Sequence, residues 1–259
     1  MTVRLRDVVS YLDATLEIDR FRDYCPNGLQ VEGRQEVDRV VTGVSASLEL
    51  FERAAARRAD LIVVHHGLIW GAGIGRLTGA IARRAGCLFQ HGISLAGYHL
   101  PLDAHPRLGN NAGLAAAIGL EGELEYFGEV RGHPLGVAIT LAAPLGRAEL
   151  LAKLSRGVLG GAEPAFVFPE GPERVRRVGL CTGAASDLLE DASGVGCDLY
   201  ITGELAERAG AMARELQVTL VAAGHYATEV FGPKRLASAL ASRFPQLDAV
   251  EFVGVPSPL

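Results

Sequence analysis

Residues 40–66, VVTGVSASLELFERAAARRADLIVVHH, decide the fold, because a shift of 138 positions lays them on residues 178–204, VGLCTGAASDLLEDASGVGCDLYITGE. Seven of the 27 aligned positions are identical without a gap, and Asp60 with Asp198 is one of these pairs. Each copy has the pattern of an apolar strand, a helix and a second apolar strand. Any two α/β units share such strands and alanine-rich helices, so this match alone leaves a chance likeness open.

A shift of 126 positions aligns a second pair of segments. His99-x-x-x-Asp103 then falls on His225-x-x-x-Glu229, and residues 125–128 (EYFG) fall on residues 251–254 (EFVG). The recurrence of a histidine and an acid at one spacing argues against coincidence. The sequence therefore predicts an α/β fold of two similar layered lobes, about residues 1–130 and 131–259, related by internal duplication and a pseudo-twofold axis. Such lobes can exchange elements, for example by packing the C-terminal segment on the first lobe.

Short strands alternate with helices along the rest of the chain. Apolar or β-branched runs predict the strands, and helical spacing of apolar residues predicts the helices. The predicted strands are residues 39–44, 61–64, 93–96 and 218–222, and the predicted helices are residues 8–16, 48–58, 83–87 and 112–119. Glycines and prolines crowd residues 157–172, which predicts a loop between units.

Composition excludes several classes of protein. The 259 residues are 49% hydrophobic and 21% charged, so a disordered chain is excluded. A net charge of -5 argues against a general nucleic-acid coat, although a local basic patch stays open. Four scattered cysteines without a C-x-x-C pair suggest neither a thiolate zinc site nor a disulfide framework. The charged N-terminus and the short uncharged stretch at residues 61–75 predict a cytoplasmic protein with no membrane partner.

Two histidines close the predicted strand at residues 61–64. Adjacent side chains at a strand end point in divergent directions, so His65 and His66 are expected to serve two neighbouring ions, or one ion and one substrate. Taken alone, the doublet is more often the polar start of a loop, marked here by Gly67.

Two further clusters of histidine and acid follow other predicted strands. Pro101 disfavours a regular helix around His99 and Asp103, so we expect this pair on a shaped loop. His225 and Glu229 have the i, i+4 spacing that suits a shared metal on one helix face. Pro233 either kinks that helix or marks the start of the next one.

Imidazoles and carboxylates at three strand ends are the donors of a two-ion site. A carboxylate can bridge two ions roughly 3.5–4 Å apart, which activate a shared water, and Asp103 or Glu229 is the natural bridge. His99 is either a further ligand or a group that orients Asp103. Glu204 aligns with His66 across the repeat and is either a general base or a carboxylate at a helix start.

The remaining motifs are weaker. The glycines at 71, 73 and 75 do not match the dinucleotide fingerprint, and the chain has no Walker A sequence and no G-x-S-x-G elbow. Cys25 is a minor candidate for a nucleophile. Trp70, the single tryptophan, is expected to anchor the core or an interface rather than to stack on a base.

Several segments resemble the NIF-three-like dinuclear-metal proteins, which are also called GTP cyclohydrolase I type II homologues. The resemblance runs in order over nearly the whole chain, and the length suits the short form without an inserted domain. The segments that carry it are Asn27-Gly-Leu-Gln-Val-Glu32, His65-His-Gly67, Gly97-Tyr-His-Leu-Pro-Leu-Asp-Ala-His-Pro106, Gly109-Asn-Asn111, Thr202-Gly-Glu204 and Ala223-Gly-His-Tyr-Ala-Thr-Glu229.

The resemblance implies a toroidal homo-hexamer with two divalent metal ions per subunit, of which Zn, Fe, Mn and Ni all suit the donors. It places His99 near the ions without making it a ligand. It also implies hydrolysis of a small molecule, a nucleotide or related heterocycle such as the GTP purine ring. A non-catalytic ring-shaped scaffold for metal binding or interaction, linked to nucleic acid, is the alternative. The ligands implied are His65, His66, Asp103, His225 and Glu229, the last of which bridges both ions.

Overall fold

The computed structural model describes residues 2–257, in which strands and helices alternate. The described residues form two compact units, one made of residues 2–102 and 232–255, and the other of residues 103–231 and 256–257. Among the described residues, no helix combines the length and the apolar character that a membrane crossing requires.

Thirteen strands and ten helices make up the described chain. The strands are β1 (Val3–Arg4), β2 (Gly28–Val31), β3 (Glu36–Val37), β4 (Arg39–Ser45), β5 (Leu61–His66), β6 (Ser94–Gly97), β7 (Glu125–Val130), β8 (His133–Gly146), β9 (Phe166–Pro169), β10 (Arg174–Cys181), β11 (Leu199–Thr202), β12 (Thr219–Ala222) and β13 (Ala249–Phe252). The helices are α1 (Leu5–Leu16), α2 (Leu48–Ala56), α3 (Gly79–His91), α4 (Leu100–Ala104), α5 (Asn110–Ala117), α6 (Arg147–Val158), α7 (Leu189–Gly194), α8 (Ala209–Leu216), α9 (His225–Glu229) and α10 (Phe231–Arg243).

The first unit is built on a five-stranded sheet in the order β13-β4-β5-β6-β2. The first four strands run parallel and β2 is antiparallel at the edge. A parallel strand is covered on both faces, which is why β5 is a continuous apolar run until its two histidines. Ile62 is fully buried, as are Phe51 of α2 and Leu88 of α3 in the same core. The Ser47 side chain accepts the backbone N–H of Leu50 at 3.2 Å and so caps the start of α2.

The second unit contains a six-stranded sheet in the order β7-β8-β10-β11-β12-β9. Strands β10, β11 and β12 are parallel, and the other neighbours pair antiparallel. The core of this unit includes Leu180 of β10 and Ile201 of β11, with Leu154 contributed by α6. The parallel strands again end at one edge, where polar side chains follow β10, β11 and β12.

One aspartate anchors the parallel strands in the same way in both units. The Asp60 carboxylate accepts the backbone N–H groups of Asp38 and Arg39, at 2.9 and 3.0 Å. Asp198 accepts those of Arg176 and Arg177, at 2.6 and 3.0 Å. Because the two aspartates are 138 positions apart, the repeat found in the sequence corresponds to a repeated three-strand unit with an antiparallel edge strand. The predicted α/β fold of two similar lobes is confirmed.

The fold corrects two local predictions and adds one detail. Residues 166–169, expected in a loop, form β9 and pair with β12, because Phe-Val-Phe is a strong strand sequence. Asp103 lies in the one-turn helix α4 rather than in a loop, since Pro101 occupies the first turn, where a missing N–H costs nothing. Strand β13, from the C-terminal part of the chain, pairs with β4.

Candidate metal centre

Three imidazoles gather at the carboxyl end of β5 in the first unit. One ring nitrogen from each of His65, His66 and His99 lies within 4.8 Å of the others. The ring centroids of His65 and His66 are 4.5 Å apart, and that of His99 is 5.1 Å from His65. The two adjacent rings thus lie near each other, while Nδ1 of His65 faces Tyr98 and Nδ1 of His66 faces Ser45.

The tautomer of His65 follows from its hydrogen bond. Its Nδ1 lies 3.0 Å from the carbonyl oxygen of Tyr98, which only accepts, so Nδ1 carries the proton and Nε2 carries the lone pair. His66 is held in a similar way on the other side of the strand, where its Nδ1 lies 3.0 Å from the Ser45 hydroxyl. Ser45 and His66 are register partners in the pairing of β4 with β5, so the sheet itself positions this ring.

A buried carboxylate that the sequence did not single out holds His99. Asp23 Oδ1 lies 2.7 Å from His99 Nδ1, and its Oδ2 accepts the backbone N–H of Leu100 at 2.9 Å. Asn27 donates to the same carboxylate at 3.0 Å and accepts the backbone N–H of His99 at 2.9 Å. Burial pushes the pKa of Asp23 upward, but the hydrogen bonds from His99, Asn27 and Leu100 outweigh it and lower that pKa.

Gln30 fixes the loop that follows the His doublet. Its Oε1 accepts the backbone N–H groups of Leu68 and Ile69, at 2.7 and 3.1 Å. A Cβ on Gly67 would lie 2.3 Å from the Gln30 amide nitrogen, so a larger residue there would displace the Gln30 side chain. Residues 27–30 therefore support the imidazole cluster through the side chains of both Asn27 and Gln30.

Trp70 borders this cluster instead of anchoring the core. Its side chain is 39% exposed, and its ring centroid lies 5.1 Å from that of His99. The indole N–H donates to the carbonyl of Gly67 at 2.7 Å. Tyr24, 43% exposed, has its ring centroid 6.2 Å from the same histidine. The accessible rings of Trp70 and Tyr24 thus form an aromatic edge beside His99.

Asp103 is the buried acid of α4 in the second unit. It is 5% exposed, and its Oδ1 accepts the Asn110 amide at 2.8 Å and the Thr182 hydroxyl at 3.2 Å. Asn111, the next residue, accepts the backbone N–H of Thr182 at 2.9 Å and donates to the carbonyl of Leu135. The two asparagines therefore link the acid to the end of β10. Sequence spacing alone did not indicate this role.

His225 and Glu229 lie together on α9, as their spacing predicted. His225 Nε2 is 3.0 Å from Glu229 Oε2, and its Nδ1 is 2.5 Å from Glu204 Oε1. Burial lowers the pKa of His225, but Glu229 and Glu204 outweigh it and raise that pKa to about 9. Helix α9 ends at Glu229 and α10 begins at Phe231, so Pro233 lies in the first turn of a new helix.

Glu204 contacts an imidazole rather than a helix terminus. Helix α8 begins only at Ala209, so the carboxylate does not lie at a helix start. Its bond to His225 Nδ1 resembles that of Asp23 to His99, and the two histidines are 126 positions apart. Each unit therefore contains a histidine whose Nδ1 faces a carboxylate.

A glycine makes room for the Glu229 carboxylate. Gly183 has a φ of +70°, and a Cβ there would lie 2.2 Å from Glu229 Oε1 and 3.2 Å from His225 Nε2. The Gly183 backbone N–H is held by the Thr228 hydroxyl at 3.2 Å. With Glu229 only 2% exposed, the geometry forms a buried cradle for one carboxylate.

The side chains of Cys25 and His105 have structural explanations. Burial, together with the charge of Asp23, raises the pKa of the Cys25 thiol to about 12, which disfavours a nucleophile. His105 Nδ1 accepts the backbone N–H groups of Arg107 and Leu108, at 3.1 and 2.9 Å, and so stabilises a turn.

The donors of both units suit divalent ions. They are imidazole nitrogens and carboxylate oxygens, the donors that Zn, Fe, Mn and Ni accept. Hydrogen bonds at Nδ1 orient the rings of His65 and His66, as they do in metal sites where a carbonyl, carboxylate or hydroxyl fixes the imidazole. The cradle at Gly183 further keeps a carboxylate in place. These features define an α/β protein with groups of residues that can hold metal ions.

Comparison with known proteins identifies the family. The model of the DUF34/NIF3 (NGG1p interacting factor 3) family matches residues 3–258. The chain belongs to this family, and the resemblance carried by its motifs is confirmed.

Relatives and solved structures match over nearly their full length. A Yersinia pestis protein named GTP cyclohydrolase 1 type 2 homolog is 43% identical over 254 residues, which cover 97% of this chain and 98% of that protein. The solved structure of ybgI, described as of unknown function, is 36% identical, with a TM-score of 0.89 over 99% of this chain and 100% of that one. A protein from Thermus thermophilus is 36% identical, with a TM-score of 0.85 and 99% of both chains covered.

Proposed function

We propose that this protein is a dinuclear metal-dependent hydrolase whose substrate is a nucleotide or a related planar heterocycle. His65, His66, Asp103, His225 and Glu229 would hold two divalent ions, with Glu229 as the carboxylate that both ions would share. When bound, such ions supply Lewis acidity that lowers the pKa of a coordinated water toward 7. The curated relatives named as GTP cyclohydrolase homologues lend their substrate class to this proposal.

The observation that supports it most directly is the orientation of the imidazoles. The Tyr98 carbonyl leaves the lone pair of His65 on Nε2, and His66 is oriented by Ser45. A metal ligand needs a lone pair at a defined atom, and an oriented ring loses less conformational entropy on binding. Asp103 and Glu229, both nearly buried, add charges that are costly to keep there without a cation or several hydrogen bonds.

The aromatic edge supports a planar substrate. Trp70 and Tyr24 are both accessible and lie beside His99. Aromatic side chains stack on heterocyclic bases with about 1–3 kcal/mol per base. Their indole and phenol faces would hold a base next to the imidazoles and keep water from the reacting ring.

Turnover with defined metals tests the hydrolase. The full chain is loaded with Zn, Fe(II), Mn or Ni until each subunit binds two ions, and it is then incubated with GTP and a panel of phosphoesters. Release of a ring-opened or hydrolysed product is expected with at least one metal. No turnover with any metal at full loading would overturn the enzymatic proposal and favour the ring-shaped, non-catalytic scaffold.

The single tryptophan allows substrate binding to be measured separately from turnover. GTP is expected to quench Trp70 fluorescence, while ribose 5-phosphate, which lacks a base, leaves it unchanged. Tyr24→Leu should weaken GTP binding about tenfold, the loss of roughly 1.4 kcal/mol of stacking. Phe89→Leu is the matched control, since Phe89 is an exposed ring on α3 with no bond to the imidazole cluster among the interactions described. Equal affinities of the two variants would contradict a stacking role.

The homo-hexamer belongs to the same proposal. Light scattering of the purified chain should give six times the subunit mass, in the presence and absence of metal. A monomer under both conditions would remove the ring from the proposal without affecting the hydrolase.

A further inference from the structure

We propose that Asp23 is a positioning residue that fixes the tautomer of His99, and that His99 Nε2 is the proton acceptor in the reaction. The inference rests on the proposed hydrolase for its chemical step. The tautomer is a property of the protein alone.

The hydrogen bonds of the Asp23 carboxylate define its role. Each of its two oxygens faces two donors. Oδ1 accepts the backbone N–H of Tyr24 at 2.6 Å and faces His99 Nδ1 at 2.7 Å. Oδ2 accepts Asn27 Nδ2 at 3.0 Å and the backbone N–H of Leu100 at 2.9 Å. An ionised carboxylate only accepts, so His99 Nδ1 must donate, and the lone pair of the ring lies on Nε2.

The backbone of His99 is held as firmly as its ring. Asn27 Oδ1 accepts the His99 N–H at 2.9 Å, so the amide that donates to Asp23 also fixes the main chain of the histidine. The Asp23 side chain is 2% exposed, which strengthens its interaction with the imidazole by excluding water. A carboxylate that accepts four hydrogen bonds in this way is a firm support for the ring.

The internal repeat places a carboxylate at Nδ1 of a second histidine. His99 and His225 occupy equivalent positions, and Glu204 faces Nδ1 of His225 as Asp23 faces Nδ1 of His99. Asp23 and Glu204 lie at positions that the repeat does not align, so each copy reaches this arrangement from a different element. The likeness is confined to Nδ1, since Nε2 of His225 lies 3.0 Å from Glu229 Oε2.

The chemical step is an addition of water across a ring C=N bond. The water oxygen forms a bond to the ring carbon while His99 Nε2 takes a proton from that water, and the C=N electron pair moves to the ring nitrogen. The imidazolium then returns the proton to this nitrogen, so His99 is regenerated and no oxidant or reductant is consumed. During the step Asp23 stabilises the positive ring without accepting its proton.

The substitution Asp23→Asn tests this assignment because the new amide NH₂ group must face hydrogen-bond donors in either orientation. In one orientation it faces two donors, the Asn27 amide and the Leu100 N–H. In the other it faces only one, the Tyr24 N–H, together with His99 Nδ1. The second orientation is less unfavourable and donates to Nδ1, which moves the His99 proton to Nε2. The lone pair is then on the wrong nitrogen, and proton acceptance is lost.

Nuclear magnetic resonance of the zinc-loaded full chain, labelled with ¹⁵N-histidine, gives the tautomer directly. The His99 signals are assigned by their absence in His99→Gln. We expect the Nδ1–H tautomer in the wild type and the Nε2–H tautomer in Asp23→Asn, with two zinc ions retained in both. An Nε2–H tautomer in the wild type would overturn the inference even if the variant does not fold.

Kinetics with GTP provides the second readout. We expect kcat of Asp23→Asn to fall by about 10²–10⁴, the range of general base catalysis, with KM nearly unchanged. Asp19→Asn, which removes the same charge from the neighbouring stretch of chain, should behave as wild type. A rise in KM alone, or loss of an ion in Asp23→Asn or His99→Gln, would contradict the positioning role. If the wild type does not turn over GTP, the proposed function fails for that substrate, whereas the tautomer measurement still decides the role of Asp23.

Discussion

A hydrogen bond at Nδ1 determines what each imidazole of the site can do. The Tyr98 carbonyl at His65 and the Asp23 carboxylate at His99 only accept, so each leaves the lone pair of the neutral ring on Nε2, the atom that a metal ion or a proton requires. The partners of the other two rings are the Ser45 hydroxyl for His66 and the Glu204 carboxylate for His225. The histidines themselves were found from their position after strands. The partner Asp23 was not, because 76 residues separate it from His99.

Gly183 is expected to be essential for the placement of Glu229. Gly183→Ala adds a Cβ that would lie 2.2 Å from Glu229 Oε1, at a φ of +70°. Gly160→Ala is a matched control, since Gly160 has a φ of +63° and open space around its Cβ position. Both variants should lose about 1 kcal/mol of stability from the backbone conformation alone.

The metal content of the two variants separates backbone strain from displacement of the Glu229 carboxylate. Only Gly183→Ala should lose bound ions when both variants are loaded with zinc and analysed by mass spectrometry, because only there is the carboxylate displaced. Equal zinc content in the two variants would show that Glu229 adapts to the added methyl group.

The bridging role proposed for Glu229 predicts an asymmetric loss of ions. Glu229→Ala removes a ligand common to both ions, so both should be lost, whereas His225→Ala should lose mainly one. Elemental analysis of the loaded, desalted proteins checks this. Two ions retained by Glu229→Ala would contradict the bridge and leave Asp103 as the alternative.

Element boundaries were predictable where apolar periodicity was strong. The predicted helix at residues 48–58 corresponds to α2, and the predicted strand at residues 39–44 corresponds to β4. Helix α4 was missed because Pro101 was taken as a breaker, although in the first turn its missing N–H has no partner to lose. Strand β9 was missed because the glycines and prolines on either side of it outweighed its two phenylalanines.

The repeated aspartates should contribute similarly to the two sheets. Asp60→Ala leaves the N–H groups of Asp38 and Arg39 without their carboxylate, and Asp198→Ala does the same at the equivalent position. Each variant should lose about 2 kcal/mol of unfolding free energy in urea, as expected for hydrogen bonds to a charged acceptor.

An exposed aspartate provides the control for this comparison. Asp187 forms an ion pair with Arg208 at the surface, so Asp187→Ala should change stability by less than about 0.5 kcal/mol. If Asp60→Ala loses no more unfolding free energy than Asp187→Ala, the N–H groups of Asp38 and Arg39 must find other acceptors.

On the scale of the whole molecule, the repeat explains why a histidine and an acid recur together in both copies. Each copy places a histidine and an acid 126 positions from its counterpart, after equivalent parallel strands. The copies differ at the end of the second strand of the repeat, where His65 and His66 align with Gly203 and Glu204. Sequence comparison within the chain could find the shared framework. It could not find the bonds from Asp23, Asn110 or Thr182, because those depend on how each unit folds.

The thiols report on the integrity of both units at once, because all four cysteines are free. Cys25, Cys181 and Cys197 are buried, and burial raises the pKa of Cys25 to about 12 and that of Cys197 to about 11. At pH 8 these groups are almost entirely protonated, and a protonated, buried thiol does not react with a disulfide reagent. Cys87 is only half-buried, although burial raises its pKa as well.

One thiol per chain should therefore react with Ellman's reagent in the native protein at pH 8, and four should react in guanidinium chloride. The native reaction should accelerate as the pH rises toward 10, since the thiolate fraction of Cys87 increases, and Cys87→Ser should abolish it. A second fast thiol, removed by Cys25→Ser, would show that the loop around Asp23 opens in solution. In that case the Asp23 carboxylate that orients His99 would also be released. The number of reactive thiols therefore tests whether the loop that contains Asp23 and Cys25 stays folded in solution.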